Sequence, residues 1–161
     1  IMPWLEFRRV LFRSQPVFLE YDMTIVEKRV GSAMAATSYA YKTMAEQGIV
    51  LGFGSDAPVE DPNPFRSLYY AIHRKKPGIH GQSYFPEEAL SFKDSYEAFT
   101  SKAAYFSYEE DHKGKLEPGY LADFIVVSEP LETLEPEALL HAKIKATYLG
   151  GTCVFQTSQN S

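Results

Sequence analysis

Between Gly48 and Pro62 the chain reads Gly-Ile-Val-Leu-Gly-Phe-Gly-Ser-Asp-Ala-Pro-Val-Glu-Asp-Pro, and no other stretch restricts its fold so strongly. Ile49 to Phe53 is apolar without polar alternation, the pattern of a strand covered on both faces, as in a parallel sheet under helices. At its end the chemistry changes abruptly to Gly54, Ser55 and Asp56. Parallel α/β sheets gather their ligands at the C-terminal ends of the strands, where the loops converge on one open face. Asp56 is thus a carboxylate carried by a rigid strand to the usual place of chemistry. The prolines after it stop the strand. The competing reading is a turn or helix-capping aspartate, since Ser-Asp-Ala-Pro also suits a helix entry. On these residues alone the two readings stand level.

The flanking segments fit an α/β chain. Gln15 to Leu19 reads as a short strand, followed by a linking segment through Gly31. Ala36, Tyr39, Ala40, Thr43 and Met44 have helical spacing, and Gly48 stands where a helix-ending glycine belongs. A strand, a helix and a second strand about thirty residues on make a right-handed crossover unit. A helix is predicted over 64–74, with Phe65, Leu68, Tyr69 and Ile72 on one side. Lys75 to Leu90, with two glycines and two prolines, reads as a loop. Ser91 and Asp94 resemble a capping box, and the helix after them presents Tyr96, Phe99, Ala103 and Phe106 inward. Composition shifts at Gly114 to Gly119. Beyond it come a strand over Ala122 to Val127, a proline-led helix over 136–142, and a hairpin turning at Gly150-Gly151.

With 161 residues the chain is long enough to bury a sizeable core. Its net charge of −5 argues against nucleic acid, which demands a basic patch. No run of about 18 apolar residues offers a membrane span. The single cysteine, Cys153, excludes an internal disulfide and fits a reducing, cytoplasmic compartment. Residues 1–14 interleave apolar and basic side chains without a clean face. They read as a short irregular arm or as sequence foreign to the gene, rather than as an amphipathic membrane anchor.

Gly54-Ser55-Asp56-Ala57-Pro58-Val59, followed by Asp61-Pro62, resembles the last barrel strand of the metal-dependent amidohydrolases, in particular the YtcJ-like branch that includes N-substituted formamide deformylases. Other matches fall in the same order as in that family. They are Gln15-Pro16-Val17-Phe18-Leu19, Ser38 to Thr43, Ala71 to Arg74, Thr100 with Ala103-Ala104, Gly114-Lys115-Leu116-Glu117-Pro118-Gly119, and Ala122-Asp123. The resemblance implies the last two strands and helices of a TIM (β/α)8 barrel over residues 15–113, with residues 114–161 forming part of a small accessory β-sandwich. A whole barrel needs about 250 residues, so the expectation is a C-terminal part of a longer enzyme whose N-terminal half is missing.

The resemblance also implies roles. Asp56 would bind a divalent metal, usually zinc, and relay a proton, and Arg74 would touch substrate. The reaction implied is hydrolysis of amide-type C–N bonds in a small molecule. The family's other ligands precede Gln15, and His73, His80, His112 and His141 show no metal-ligand spacing. The chain alone is therefore expected to retain no metal and no activity. A non-catalytic piece that keeps the fold is the alternative. His73 reads as a solvated helix end, Glu109-Glu110-Asp111-His112 as a solvated face, Asp123 as a structural hydrogen-bonding group, and Cys153 as structural.

Overall fold

The computed structural model describes residues 11–78 and 83–158. Two small sheets and a set of short helices make up these segments. Strand β1 (Leu11–Ser14) pairs in parallel with β2 (Val50–Phe53), with Ser14 opposite Phe53. Gly54 N–H donates to the Ser14 carbonyl at 3.1 Å and extends the ladder by one rung. The strand after the crossover thus forms where its apolar run predicts. The strand before it does not: it lies at 11–14, inside the expected arm.

Gln15 to Leu19, predicted as that strand, is instead a 3₁₀ turn (Pro16–Phe18) leading straight into helix α1 (Leu19–Asp22). Pro16 explains the difference, because it has no N–H to give a ladder and its fixed φ suits the first turn of a helix. The linking segment is likewise helical, with α2 (Val26–Val30) and α3 (Ser32–Ala35). Residues 1–10 and His80 lie outside the described residues.

Helix α4 (Tyr41–Glu46) ends at Gly48, which takes a φ of 79° as a terminating glycine should. No side chain at its own N-cap, Ala40, can accept a bond, so the cap comes from afar. The buried Glu88 carboxylate accepts from Thr43 N–H at 2.9 Å and from the Thr43 hydroxyl. Helix α5 (Pro64–His73) has a local cap: Asn63 Oδ1 accepts from Phe65 N–H at 2.9 Å, and Pro64 occupies the first helical position. Asp61 Oδ1 in turn accepts from Asn63 N–H at 2.8 Å and shapes the entry.

Helix α5 lies at the centre of the packing and serves two apolar clusters. Phe65, Leu68, Tyr69 and Tyr70 join Leu19 and Leu139 in one, and Ala71 joins Tyr41, Leu51, Phe53, Leu90 and Ala98 in the other. An ion pair from Glu20 to Arg66 fastens α1 against it. In the second cluster Tyr41 stands edge-on to Tyr39 and tilted against Phe53, with ring centroids 5.9 and 5.0 Å away. Its hydroxyl shares a buried 2.9 Å hydrogen bond with Ser14, tying β1 to α4.

The expected single helix after Ser91 is two, α6 (Phe92–Phe99) and α7 (Ser101–Phe106), broken at Thr100 (φ −120°, ψ −97°). Ser91 caps α6 by accepting from Asp94 N–H at 3.0 Å, while its hydroxyl donates to the Asp94 carboxylate. The break resets the helical phase. Ser95, Ala98 and Ala104 face inward, and Tyr96, expected inside, is 48% exposed and stacks on Phe92.

The second sheet is antiparallel, in the order β3 (Phe124–Val127), β4 (Ile144–Leu149), β5 (Thr152–Gln156). Its hairpin turns at Gly150-Gly151 as the sequence predicts. Asp123 holds the turn from outside by accepting from Gly150 N–H at 2.7 Å, which is the structural role expected of it. The proline-led helix is a 3₁₀ helix, Pro136–His141, whose Leu139 plugs into the first cluster. No helix among the described residues is long and apolar enough to cross a membrane.

At Gly114 the backbone presses against the start of α7. Its φ is 84°, and a Cβ there would stand 2.8 Å from both the Ser101 Cα and the Thr100 carbonyl oxygen. Backbone atoms cannot step aside as a side-chain tip can. Gly114→Ala should therefore cost about 1–3 kcal/mol of stability, combining an unfavourable φ with the clash. Gly31→Ala shares the positive φ but meets nothing within 4 Å, and should cost less. Chemical denaturation of the two variants side by side measures the difference.

Candidate functional site at the strand ends

Gln15 follows the last residue of β1, and Asp56 stands three residues beyond β2. Because the strands are parallel, these two exits open on the same side. A cavity of ≈ 330 Å³ lies there, lined by Arg13, Gln15, Gly52, Phe53, Gly54, Asp56, Ala103 and Phe106. Two walls come from the strands and their exits, and α7 supplies the third. Its apolar side is built by close approach: a Cβ on Gly52 would sit 2.7 Å from Cε2 of Phe106, so the ring occupies space that only glycine leaves. Arg13 holds the ring's other flank, with its guanidinium carbon 5.7 Å from the Phe106 centroid.

Asp56 is exposed and its backbone is left-handed, with φ at 61°. Aspartate tolerates that region better than most residues, though it rarely adopts it without reason. The local turn is closed by backbone alone, Val59 N–H donating to the Asp56 carbonyl at 2.8 Å. Among the described residues no donor binds the Asp56 carboxylate. The capping reading of this aspartate therefore finds no counterpart here. Asn63, seven residues on, caps the helix instead.

A divalent metal fits Asp56 as one ligand, because that carboxylate is exposed, unengaged and at the edge of a cavity. It does not fit the surrounding residues as a complete site, since no three His, Cys, Asp or Glu side chains converge among the described residues. Glu109 spends its charge locally, accepting from Lys113 at 2.6 Å and from the Ser107 hydroxyl, with His112 at 3.8 Å, which makes this stretch a surface ion-pair group. His141 is exposed at the end of its 3₁₀ helix.

His73 departs from expectation. It is half-buried on the Tyr69 ring, 5.1 Å between centroids, and burial with Lys75 beside it lowers its pKa.

The structure keeps Arg74 away from Asp56. Arg74 has no exposed surface, ends α5 in the left-handed conformation at φ 49°, and sends its guanidinium inward. Nε donates to the Tyr84 carbonyl at 2.7 Å and Nη1 to the Tyr39 carbonyl at 3.0 Å, while the ring of Tyr41 lies 6.0 Å from its centre. It borders a different cavity of ≈ 560 Å³ among Met23, Glu27, Lys75 and Tyr84. The substrate contact that the resemblance implies for Arg74 has no counterpart among these contacts, which are with carbonyls and a ring of the chain itself. Reading the sequence singled out Asp56 but missed Gln15 as its neighbour, and missed Phe106 as a cavity wall. Nothing local signals either one: Gln15 reaches the site only because β1 pairs with β2, and Phe106 only because Gly52 leaves room for its ring.

Comparison with known proteins follows the same outline. The sequence profile of an amidohydrolase family matches residues 8–155. "Putative amidohydrolase YtcJ" of Bacillus subtilis (strain 168) is 34% identical over 145 residues, which cover 89% of this chain and 27% of that protein. "Protein LONG AFTER FAR-RED 3" of Arabidopsis thaliana is 36% identical over 138 residues, covering 85% of this chain and 23% of the plant protein. The chain therefore spans about a quarter of the length of the curated relatives it matches. Among solved structures, an uncharacterized metal-dependent hydrolase from Pyrococcus horikoshii OT3 superimposes with a TM-score of 0.69 at 28% identity, over 80% of this chain and 26% of that one. A second, from Pyrococcus furiosus, gives 0.57 at 31% identity, over 70% and 22%.

One carboxylate cannot hold zinc tightly where a working site uses at least about three protein ligands. The purified chain, dialysed against buffer after zinc loading, should retain far less than one equivalent by elemental analysis. Stoichiometric retention would mean that residues outside those described complete a site with Asp56.

Proposed function

The chain belongs to the amidohydrolase family, and from that premise we propose that it forms the C-terminal part of a metal-dependent hydrolase of amide-type C–N bonds, with Asp56 handling the proton. The observation that carries this reading is the position of Asp56. An unengaged carboxylate in a left-handed backbone stands just past the C-terminal end of a buried parallel strand, on the rim of a cavity. That is where parallel α/β enzymes collect their chemistry.

In this reading β1 and β2 are the last two strands of a (β/α)8 barrel, whose part of the chain takes in residues 11–14 as well as 15–113, and 114–161 contribute to an accessory β-domain. The parallel pairing of β1 and β2 and the separate antiparallel sheet support that division. The substrate is a small amide-like molecule, and the full-length enzyme works in the cytoplasm.

A divalent metal, zinc by preference, would take Asp56 as one ligand and supply Lewis-acid polarisation of the carbonyl together with more acidic water. The chain's own residues do the rest. The Asp56 carboxylate accepts a proton from the attacking water and returns it to the departing nitrogen, which leaves as a neutral amine. The left-handed turn is closed by the backbone and leaves the carboxylate unused as a cap. Phe106, Ala103 and Phe53 give the cavity apolar walls, which lower the local polarity and strengthen the charge interactions made there.

The test uses a protein of the relatives' full length that carries this segment. Asp56→Asn keeps the shape and one oxygen but cannot accept the proton, and turnover should fall by about 10²–10⁴-fold at equal metal occupancy. Asp61→Asn is the control: its Oδ1 only shapes the entry to α5, and asparagine keeps that acceptor. Near-parental turnover by Asp56→Asn, with metal content matched, would remove Asp56 from the reaction.

A further inference from the structure

We propose that Gln15 orients the substrate, its side-chain carboxamide pairing with the substrate's amide group beside Asp56. This rests on the functional reading above and extends it to a residue with no role so far.

Three observations converge on Gln15. The first is register: Ser14 stands opposite Phe53 and Gly54 N–H binds the Ser14 carbonyl, which places Gln15 next to Gly54 across the strand gap. Adjacent strands are about 4.8 Å apart, so a ligand of a few atoms reaches both strand exits at once. Gln15 and Asp56 line the same ≈ 330 Å³ cavity.

The second is that the carboxamide is unspent. Gln15 occupies the N-cap position of the 3₁₀ turn, where Asn63 and Ser91 use their side chains to close helices, but it makes no side-chain cap bond. Its carbonyl accepts from Phe18 N–H at 3.1 Å, so the backbone closes the turn alone. Among the described residues its side chain has no hydrogen-bond partner.

The third is that Gln15 is held firmly. It is half-buried, and the next two residues, Pro16 and Val17, are buried, so the backbone beneath the carboxamide is anchored at the edge of the cavity it helps to line. An anchored backbone spares a ligand the cost of ordering the main chain, and an unpartnered carboxamide has no internal hydrogen bond to give up on binding.

The chemistry then selects the ligand. A carboxamide offers one acceptor and two donors in a plane, so its oxygen can accept the N–H that an amide presents. It is also neutral, so it neither competes with Asp56 for a cation nor repels an uncharged substrate. Its oxygen accepting the substrate N–H would fix the amide plane and bring the scissile carbon within reach of the attacking water. An ester has no N–H to give and gains nothing from that contact.

The experiment compares acetanilide with phenyl acetate on the full-length protein, with Gln15→Leu and Gln15→Glu variants. Gln15→Leu should lower kcat/KM for the amide by about 10- to 100-fold relative to the ester, the loss of one buried hydrogen bond. Gln15→Glu keeps the acceptor and should recover part of it. A Gln15→Leu variant that slows amide and ester alike would overturn the proposal.

A binding measurement keeps the two readings separable. In an Asp56→Asn background acetanilide should still shift the side-chain NH2 resonances of Gln15, and phenyl acetate should shift them less. If Asp56→Asn leaves turnover intact while acetanilide shifts these signals, the proton-relay reading fails and the role of Gln15 stands. If acetanilide leaves the Gln15 resonances unmoved, the proposal fails whatever the turnover.

Discussion

Everything near the parallel sheet depends on one buried cation. Arg74 brings three separated segments to one point: its own helix end, the Tyr39 carbonyl ahead of α4, and Tyr84 across the loop. With Tyr84 the exchange runs both ways, since Tyr84 N–H also donates to the Arg74 carbonyl at 2.7 Å. A guanidinium removed from water is costly unless its donors are used and the charge is met by dipoles. Here carbonyl dipoles and the Tyr41 ring meet it, although Nη2 has no partner among the described residues. Burial lowers its pKa, and the neighbouring Tyr41 and Glu88 act against that shift. Lysine could not replace it, since a point charge cannot span two carbonyls in one plane.

The α4–β2 unit inherits its position from this clamp. Arg74 fixes Tyr39, Tyr41 follows two residues later, and the Tyr41 ring packs on Phe53 at the end of β2. Glu88, from the same loop that holds Tyr84, caps α4 at Thr43. The strand end that presents Asp56 is thus supported from behind by side chains on a helix and a loop, none of which touches the cavity.

How much of this could be read beforehand differs residue by residue. Strand β2, the glycine stop at Gly48, the cap at Ser91 and the Gly150-Gly151 hairpin all rest on local chemistry, and local chemistry is what a sequence displays. Asp56 was legible for the same reason, as a polar residue closing an apolar run. β1 was not, because Leu-Phe-Arg-Ser has neither an apolar run nor alternation and pairs only because β2 offers an edge. The inward turn of Arg74 was not legible, because a cation at a helix end ordinarily faces water. What turns it inward are carbonyls 10 and 35 residues away. The wall formed by Phe106 depends on the absence of a side chain at Gly52, more than fifty positions earlier, and no local pattern carries such a relation.

The backbone at Asp56 carries an evolutionary consequence. Left-handed φ admits glycine, asparagine and aspartate with little strain, and resists most other side chains. Aspartate can therefore drift to asparagine here without disturbing the turn, the strand or the cores behind it. Such a descendant would fold as well as its ancestor and lack only the proton-accepting charge. Charge and architecture are separable at this position, so under the proposed role of Asp56 a single substitution would remove the proton acceptor and keep the scaffold for another use.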